Sequence, residues 1–229
     1  MMPLVSPLPA PITWQTIIPV RGGRTGKTRL ARVEGRALTD SERIDLALAM
    51  AQDTVSAAIA SGVGPIRILT ADEQVGALAF QLGASVLLDQ GRGLNAELVG
   101  AGRVLSDGSS SSAGVAFLLG DLPALRPEDL RAALDEAAAQ GAGRAFVPDW
   151  EGTGTALAML HRAAGPIRLA FGPDSARQHE DLGLVPVGAR LNRLRCDVDT
   201  SQAWDRAVEL GVGPATSQAR ARILARRPG

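Results

Sequence analysis

The chain has no tyrosine, and aromatic residues make up only 3% of its 229 positions. Sites for single-stranded nucleic acid stack bases on aromatic side chains, so that class lacks its main building material here. Charge of neither sign is in excess: Lys plus Arg and Asp plus Glu are each 24. A bulk basic draw toward nucleic acid or an anionic membrane is thereby excluded. The single cysteine, Cys196, has no internal partner for a disulfide and fits a reducing cytoplasm. No apolar run approaches the roughly 20 residues of a membrane span. Met1 to Pro11 is proline-rich without a basic stretch leading into an apolar one, so it reads as a loose leader and not a signal peptide. The length suits one large domain or two small ones, with ample material for a core.

What is present points to an α/β chain. Apolar runs at Trp14–Val20, Pro65–Thr70, Ser85–Leu88, Val115–Leu119 and Arg144–Pro148 alternate with helical patterns. Those patterns cover Thr39–Ser61, Asp72–Leu82, Asn95–Leu105 and the alanine-rich Pro127–Gln140. Such a rhythm predicts a mainly parallel sheet with right-handed crossovers. Beyond Asp149 the pattern loosens. A weak strand is expected at Ala156–Leu160, further strands at Leu184–Val187 and Leu194–Val198, and a helix at Ser201–Leu210. The Arg-rich stretch from Thr216 reads as a solvated helix or frayed end, and Asp107–Ser112 as a plain flexible loop.

The run ending Leu119-Gly120-Asp121-Leu122-Pro123 delivers a carboxylate to the carboxyl end of a buried strand, where open α/β sheets bind ligands. Arg195-Cys196-Asp197-Val198-Asp199-Thr200 supplies a second carboxylate near the C-terminus. Asp121 and Asp199 form a candidate Mg²⁺ pair, since that ion is held by one or two carboxylates while substrate oxygens complete its octahedron. The alternatives are a turn-forming Asp121 and an ordinary helix cap at Asp199. Gly22-Gly23-Arg24-Thr25-Gly26-Lys27-Thr28 tempts a P-loop reading, but Arg21 stands where the first glycine of that motif belongs. It remains a glycine-rich cationic turn whose backbone amides and Lys27 suit phosphate, with a solvated loop as the alternative. Gly152–Thr155 and Gly172–Ser175 offer amides and hydroxyls without charge, fit for a small anion or for plain tight turns. His161 and His179 are too far apart and too poorly partnered for zinc, and read as surface or structural. No Gly-x-Ser-x-Gly elbow or Cys/His pairing supports covalent catalysis.

Taken in order, Ile18-Pro19-Val20, Lys27-Thr28-Arg29-Leu30, Gly93-Leu94-Asn95, GDLPAL, EGTGTAL, FGPDSARQH and LRCDVDT resemble the phospholactate/phosphoenolpyruvate guanylyltransferases of coenzyme F-420 biosynthesis, the CofC/FbiD family. The closing Leu210–Thr216 also resembles actinobacterial members, which favour phosphoenolpyruvate. The resemblance implies a GT-A-like (Rossmann-like) single-domain nucleotidyltransferase, an α/β fold with a mixed, mostly parallel sheet flanked by helices. Residues 1–13 would be the leader, 14–215 the nucleotidyltransferase domain and 216–229 the tail. It further implies transfer of GMP from GTP to a small phosphorylated acid, chosen among phosphoenolpyruvate, 2-phospho-L-lactate and 3-phosphoglycerate. Asp121 and Asp199 would hold Mg²⁺ and Lys27 would neutralise phosphate charge. Thr155, Gly172 and Ser175 would grip the acceptor, with Arg29, Thr70, Gly93 and Asn95 on the nucleotide. Coupling to the next F-420 enzyme and a homodimer belong to the same expectation. Members usually carry Lys where Arg21 stands. Two other classes stay open: a GT-A glycosyltransferase, though Asp-x-Asp is missing at Asp121, and a non-catalytic nucleotide-binding regulator.

Overall fold

The structure is a computed structural model that describes residues 12–22, 30, 32–106, 113–141 and 143–226. Strand β1 (Thr13–Pro19) is followed by a small hairpin of β2 (Arg32–Val33) and β3 (Arg36–Ala37). Then come α1 (Asp40–Ala60), β4 (Ile66–Thr70), α2 (Glu73–Leu82), β5 (Ser85–Leu88), α3 (Leu94–Ser106), β6 (Ala113–Leu118), α4 (Pro127–Ala139) and β7 (Arg144–Pro148). The second half adds β8 (Thr155–His161), α5 (Ser175–Asp181), β9 (Val185–Pro186), α6 (Ser201–Leu210) and α7 (Pro214–Ala225).

Seven strands form one sheet in the order β5-β4-β1-β6-β8-β7-β9. β5, β4, β1 and β6 run parallel, β8 is antiparallel to both its neighbours, and β9 is parallel to β7. Only β8 is therefore reversed, and the expectation of a mixed, mostly parallel sheet flanked by helices holds. Reversal matters for the site. Because Leu118 pairs with Leu157, the start of β8 at Thr155 lies at the same edge as the carboxyl end of β6.

Burial follows the pleat. Ile18, Ile68, Leu118 and Met159 join one cluster with α1, α2 and α4, while Ile17, Leu69, Phe117 and Leu160 join another with Leu98 of α3 and Ala176 of α5. Neighbouring residues on one strand thus serve opposite faces, which is why β6 is apolar throughout. A third cluster packs α1, α6 and α7 around Trp204, Met50 and Ile223.

Two sequence expectations need correction. Leu194–Val198 is no strand: Arg195 N donates to Leu191 O and Cys196 N to Arg193 O, which are turn bonds. The Arg195 guanidinium locks that turn by donating to the carbonyls of Pro148, Asp149 and Ala189. The stretch from Thr216, expected as a solvated helix or frayed end, is helical to Ala225 as part of α7, but it docks one face, with Thr216, Ala219 and Ile223 buried. The leader Met1–Pro11, most of the glycine-rich turn (Gly23–Arg29) and the Asp107–Ser112 loop lie outside the described residues.

Candidate active site at the carboxyl edge of the sheet

Asp121 follows β6 by way of Leu119-Gly120, and the glycine is required. A Cβ at Gly120 would come within 2.8 Å of the Pro19 carbonyl and 2.9 Å of Val20 Cγ2, so the end of β6 can pass that close to the end of β1 only without a side chain. Beyond Gly120 three bonds hold the loop. Leu122 N–H donates to Thr54 Oγ1 of α1 at 3.0 Å, and Thr54 donates in turn to Met50 O at 2.9 Å. The Asp121 carbonyl accepts from Val198 N–H at 3.0 Å, which sets the second acidic segment beside the first. The Pro123 carbonyl accepts from Gly213 N–H at 2.8 Å, which ties the loop to the start of α7.

The start of α7 is itself fixed from α1. Buried Asp53 accepts from Ala215 N–H at 3.0 Å and from Thr216 N–H at 2.7 Å, satisfying two of the amides a helix N-terminus leaves open. Its carboxylate occupies the space a side chain at residue 213 would need, which explains Gly213 in the closing Gly211–Thr216 motif.

These clamps leave Asp121 and Asp199 lining one cavity of about 340 Å³, together with Pro19, Val20 and Arg21 from the end of β1, Ala47 and Ala51 of α1, and Leu94 of α3. Asp121 is partly buried and Asp199 exposed. Asp197 is partly buried and is not part of that lining. Oxygen donors from two carboxylates fit a hard divalent cation that keeps other positions for water or phosphate oxygens. Among the described residues no group of three or more His, Cys, Asp or Glu forms a ready-made cage. Arg21 brings a positive charge to the wall, and Lys27 and Arg29 lie outside the described residues. Cys196, between the acidic segments, is no nucleophile: burial first, then the charge of Asp197, push its thiol up to about 12.

The remaining candidates fall into two groups. Thr70 is buried at the end of β4, where its Oγ1 accepts from Asp72 N–H at 3.1 Å. Gly93, at φ 95°, precedes α3; the adjoining Arg92 is clasped by Glu97, whose carboxyl those bonds hold down at about 2. Thr155, Gly172 and Ser175 lie on neighbouring segments, with Ser175 N–H donating to the Gly172 carbonyl at 3.2 Å. Thr155 is buried, Gly172 lies in the loop before α5 and Ser175 opens that helix. The Thr153 carbonyl accepts from Ala176 N–H at 3.0 Å, which joins the two loops.

Asn95 belongs with this second group by its contacts. Its Nδ2 donates to the Phe171 carbonyl at 2.9 Å and its Oδ1 accepts from Phe171 N–H at 2.8 Å. The side chain expected on the nucleotide therefore braces the loop before α5, the one expected to grip the acceptor. His179, read as surface or structural, is fully buried and bonded to Thr155. Its signal lay in the FGPDSARQH string, which puts Ser175 and His179 one helical turn apart.

The fold is shared with solved structures described as a nucleotide-diphospho-sugar transferase and a nucleotidyl transferase. A protein from Desulfovibrio desulfuricans G20 assigned as a nucleotide-diphospho-sugar transferase superposes with a TM-score of 0.62 at 18% identity, covering 82% of this chain and 83% of its own. A Mycobacterium tuberculosis H37Rv protein solved with manganese gives a TM-score of 0.50 at 18% identity, over 87% of this chain and all of that one. Sequence carries the assignment further. The model of the guanylyl transferase CofC-like family matches residues 14–181. The phosphoenolpyruvate guanylyltransferase of Streptomyces avermitilis is 43% identical over 92% of this chain and 95% of its own. That of Mycolicibacterium smegmatis is 40% identical over 89% and 88%. The chain belongs to the CofC-like guanylyltransferase family.

Proposed function

We propose that this protein transfers the guanylyl group of GTP to phosphoenolpyruvate, forming enolpyruvyl-diphospho-guanosine and releasing pyrophosphate, in the coenzyme F-420 route that the motif resemblance implies. The observation that carries the reading is the meeting of Asp121 and Asp199 on one cavity at the carboxyl edge of the sheet, in a chain 43% identical to a phosphoenolpyruvate guanylyltransferase. In the reaction a phosphate oxygen of the acceptor bonds to the α-phosphorus of GTP as the bond from that phosphorus to the β-phosphate oxygen breaks. The acceptor phosphate is already anionic at neutral pH, so no strong general base is required.

The work left to the protein is alignment and charge stabilisation. Asp121 and Asp199 would hold a divalent cation, with Mg²⁺ the assignment made here, and that ion when bound supplies Lewis-acid neutralisation of phosphate charge. Arg21 faces the same space, and Lys27 and Arg29 are assigned to the triphosphate. Thr70 and Gly93 are assigned to the nucleoside side. Thr155, Gly172 and Ser175 orient the acceptor's phosphate and carboxylate. Both substrates are cytoplasmic metabolites, which puts the enzyme in the cytoplasm; among the described residues no helix is long and apolar enough to cross a membrane.

The test is product analysis by mass spectrometry with GTP, Mg²⁺ and, separately, phosphoenolpyruvate, 2-phospho-L-lactate and 3-phosphoglycerate. Coupling to the next pathway enzyme traps a labile product. Pyrophosphate formed only with an acceptor, and fastest with phosphoenolpyruvate, is the expected result. Release of GDP and inorganic phosphate, or faster turnover of another acceptor, overturns the assignment.

A further inference from the structure

His179 lies on α5, fully buried, with the rings of Phe146 and Phe171 at centroid distances of 5.7 Å and 5.2 Å. Its two nitrogens have different neighbours. Nε2 receives the Ala170 N–H at 3.1 Å, and because a backbone N–H can only donate, Nε2 must present its lone pair. Burial lowers the imidazole pKa to about 4, so at neutral pH the ring carries one proton, and that proton is on Nδ1. Nδ1 stands 2.9 Å from Thr155 Oγ1, and the Ser175 carbonyl also accepts from the ring. Whichever oxygen takes more of the Nδ1 proton, a protonated Nδ1 cannot accept from Thr155. The hydroxyl proton of Thr155 has to go elsewhere.

We propose that His179 is a positioning residue for the acceptor: fixed as the Nδ1–H tautomer by the Ala170 amide, it sets the Thr155 hydroxyl as a donor toward the anion bound between the two loops. The inference rests on the acceptor reading given above, since it is Thr155 that meets the substrate. His179 acts through Thr155 and touches no reacting atom. The same ring steadies the loop, for its bond to Ala170 adjoins the paired bonds of Asn95 to Phe171. Consecutive peptide groups are thus pinned from α5 and from α3. A carboxylate or phosphate oxygen can only accept, so a hydroxyl with its proton already committed outward suits an anion and disfavours a ligand that offers a donor.

Two measurements test this. The full chain holds only two histidines, His161 and His179, so ¹⁵N-histidine labelling with a His161→Gln control assigns both rings. In the ligand-free protein at neutral pH, two-bond ¹⁵N–¹H correlations should show His179 unprotonated at Nε2 and protonated at Nδ1. The Nε2–H tautomer or a charged ring overturns the proposal. In steady-state kinetics, His179→Phe should raise the KM for phosphoenolpyruvate about tenfold, the size of one hydrogen bond to a charged group, and leave the KM for GTP unchanged. His179→Asn, which keeps a donor near Nδ1, should recover most of the loss. In a Thr155→Val background His179→Phe should add no further loss; independent, additive losses would mean that the ring does not act through Thr155. The failures separate. A wrong tautomer defeats the role of His179 whatever the enzyme turns over, and a wild-type protein inert toward phosphoenolpyruvate defeats the proposed reaction whatever the tautomer.

Discussion

Thr54→Val isolates the link between α1 and the loop that carries Asp121. Thr54 is fully buried, and its Oγ1 accepts the Leu122 N–H at 3.0 Å while donating to Met50 O at 2.9 Å. Valine matches threonine in shape and nearly in helix propensity, so the substitution changes little except the acceptor. Losing the donation to Met50 costs little, because that carbonyl also serves the helix. Leu122 N–H has no such reserve: a buried donor left without a partner costs about 1–3 kcal/mol. At roughly 2–4 °C per kcal/mol for a chain of this size, that lowers Tm by about 2–12 °C. Leu122 N–H and the Asp121 carbonyl belong to one peptide group, which keeps its bond to Val198 but loses its anchor to α1. A shift approaching 1 Å in an aligned site can cost on the order of 10² in rate, so kcat should fall at least tenfold at temperatures where the protein is fully folded. Pyrophosphate release at saturating GTP and phosphoenolpyruvate, paired with denaturant unfolding, reads both effects. Thr54→Ser is the control: it loses a methyl group and some stability but keeps the oxygen, and its kcat should stay near wild type. A Thr54→Val enzyme with unchanged stability and turnover, or a Thr54→Ser enzyme as slow as Thr54→Val, would refute the argument.

Asp121→Asn should fold normally and lose about 10²–10³ in kcat, measured as pyrophosphate release against a circular-dichroism check of fold; Asp199→Asn should lose more than Asp197→Asn, since Asp199 lines the cavity and Asp197 does not. Ser175→Ala should raise the KM for phosphoenolpyruvate about 10–100-fold with GTP unaffected, whereas a selective effect on GTP would reassign the second half of the chain to the nucleotide. Asp53→Ala removes the cap of α7 and should cost about 1–2 kcal/mol in unfolding free energy. Stability should also fall in acid through His179. Its pKa is depressed in the fold from 6.5 to about 4, so below pH 6.5 the unfolded chain takes up a proton that the fold refuses. The loss begins near pH 6.5 and is complete near pH 4, where it amounts to about 3 kcal/mol; His179→Gln should flatten that part of the profile.

The parallel half of the molecule was legible because its signals are local. Thr39–Ser61 was expected as a helix, and α1 spans Asp40–Ala60 with Thr39 as N-cap and Ser61 as C-cap; Arg144–Pro148 matches β7. What was misread depends on distant partners. Leu194–Val198 is apolar at alternate positions, but Arg195 spans to carbonyls at residues 148, 149 and 189, and those bonds impose a turn that no local pattern announces. α5 escaped notice because it is short, with a left-handed residue, Asp174, at its cap. The burial of α7 has a local signal, since Thr216, Ala219 and Ile223 recur at three- and four-residue spacing, but the arginines between them give the stretch a polar average. Of the two proposed site carboxylates, only Asp121 has a position legible from a strand, since it follows the end of β6; Asp199 follows a turn, and the bond from Val198 to the Asp121 carbonyl sets it beside the first. The bracing role of Asn95 and the tautomer of His179 were not legible, because both follow from contacts with Phe171 and Ala170 across a fold.

The bond from Gly213 N–H to the Pro123 carbonyl, with Asp53 under the following turn, bears on the order in which the protein comes to life on the ribosome. The strand that carries Asp121 and the helix that carries Asp53 are made early, yet the segment that closes over both lies at residues 213–216. A nascent chain halted after Asp199 would own both acidic groups and much of the sheet, and still leave a buried carboxylate and a loop carbonyl waiting for their amides. Catalytic competence should therefore appear late and abruptly during synthesis, when α7 clears the exit tunnel and docks, and not in proportion to the length of chain already folded.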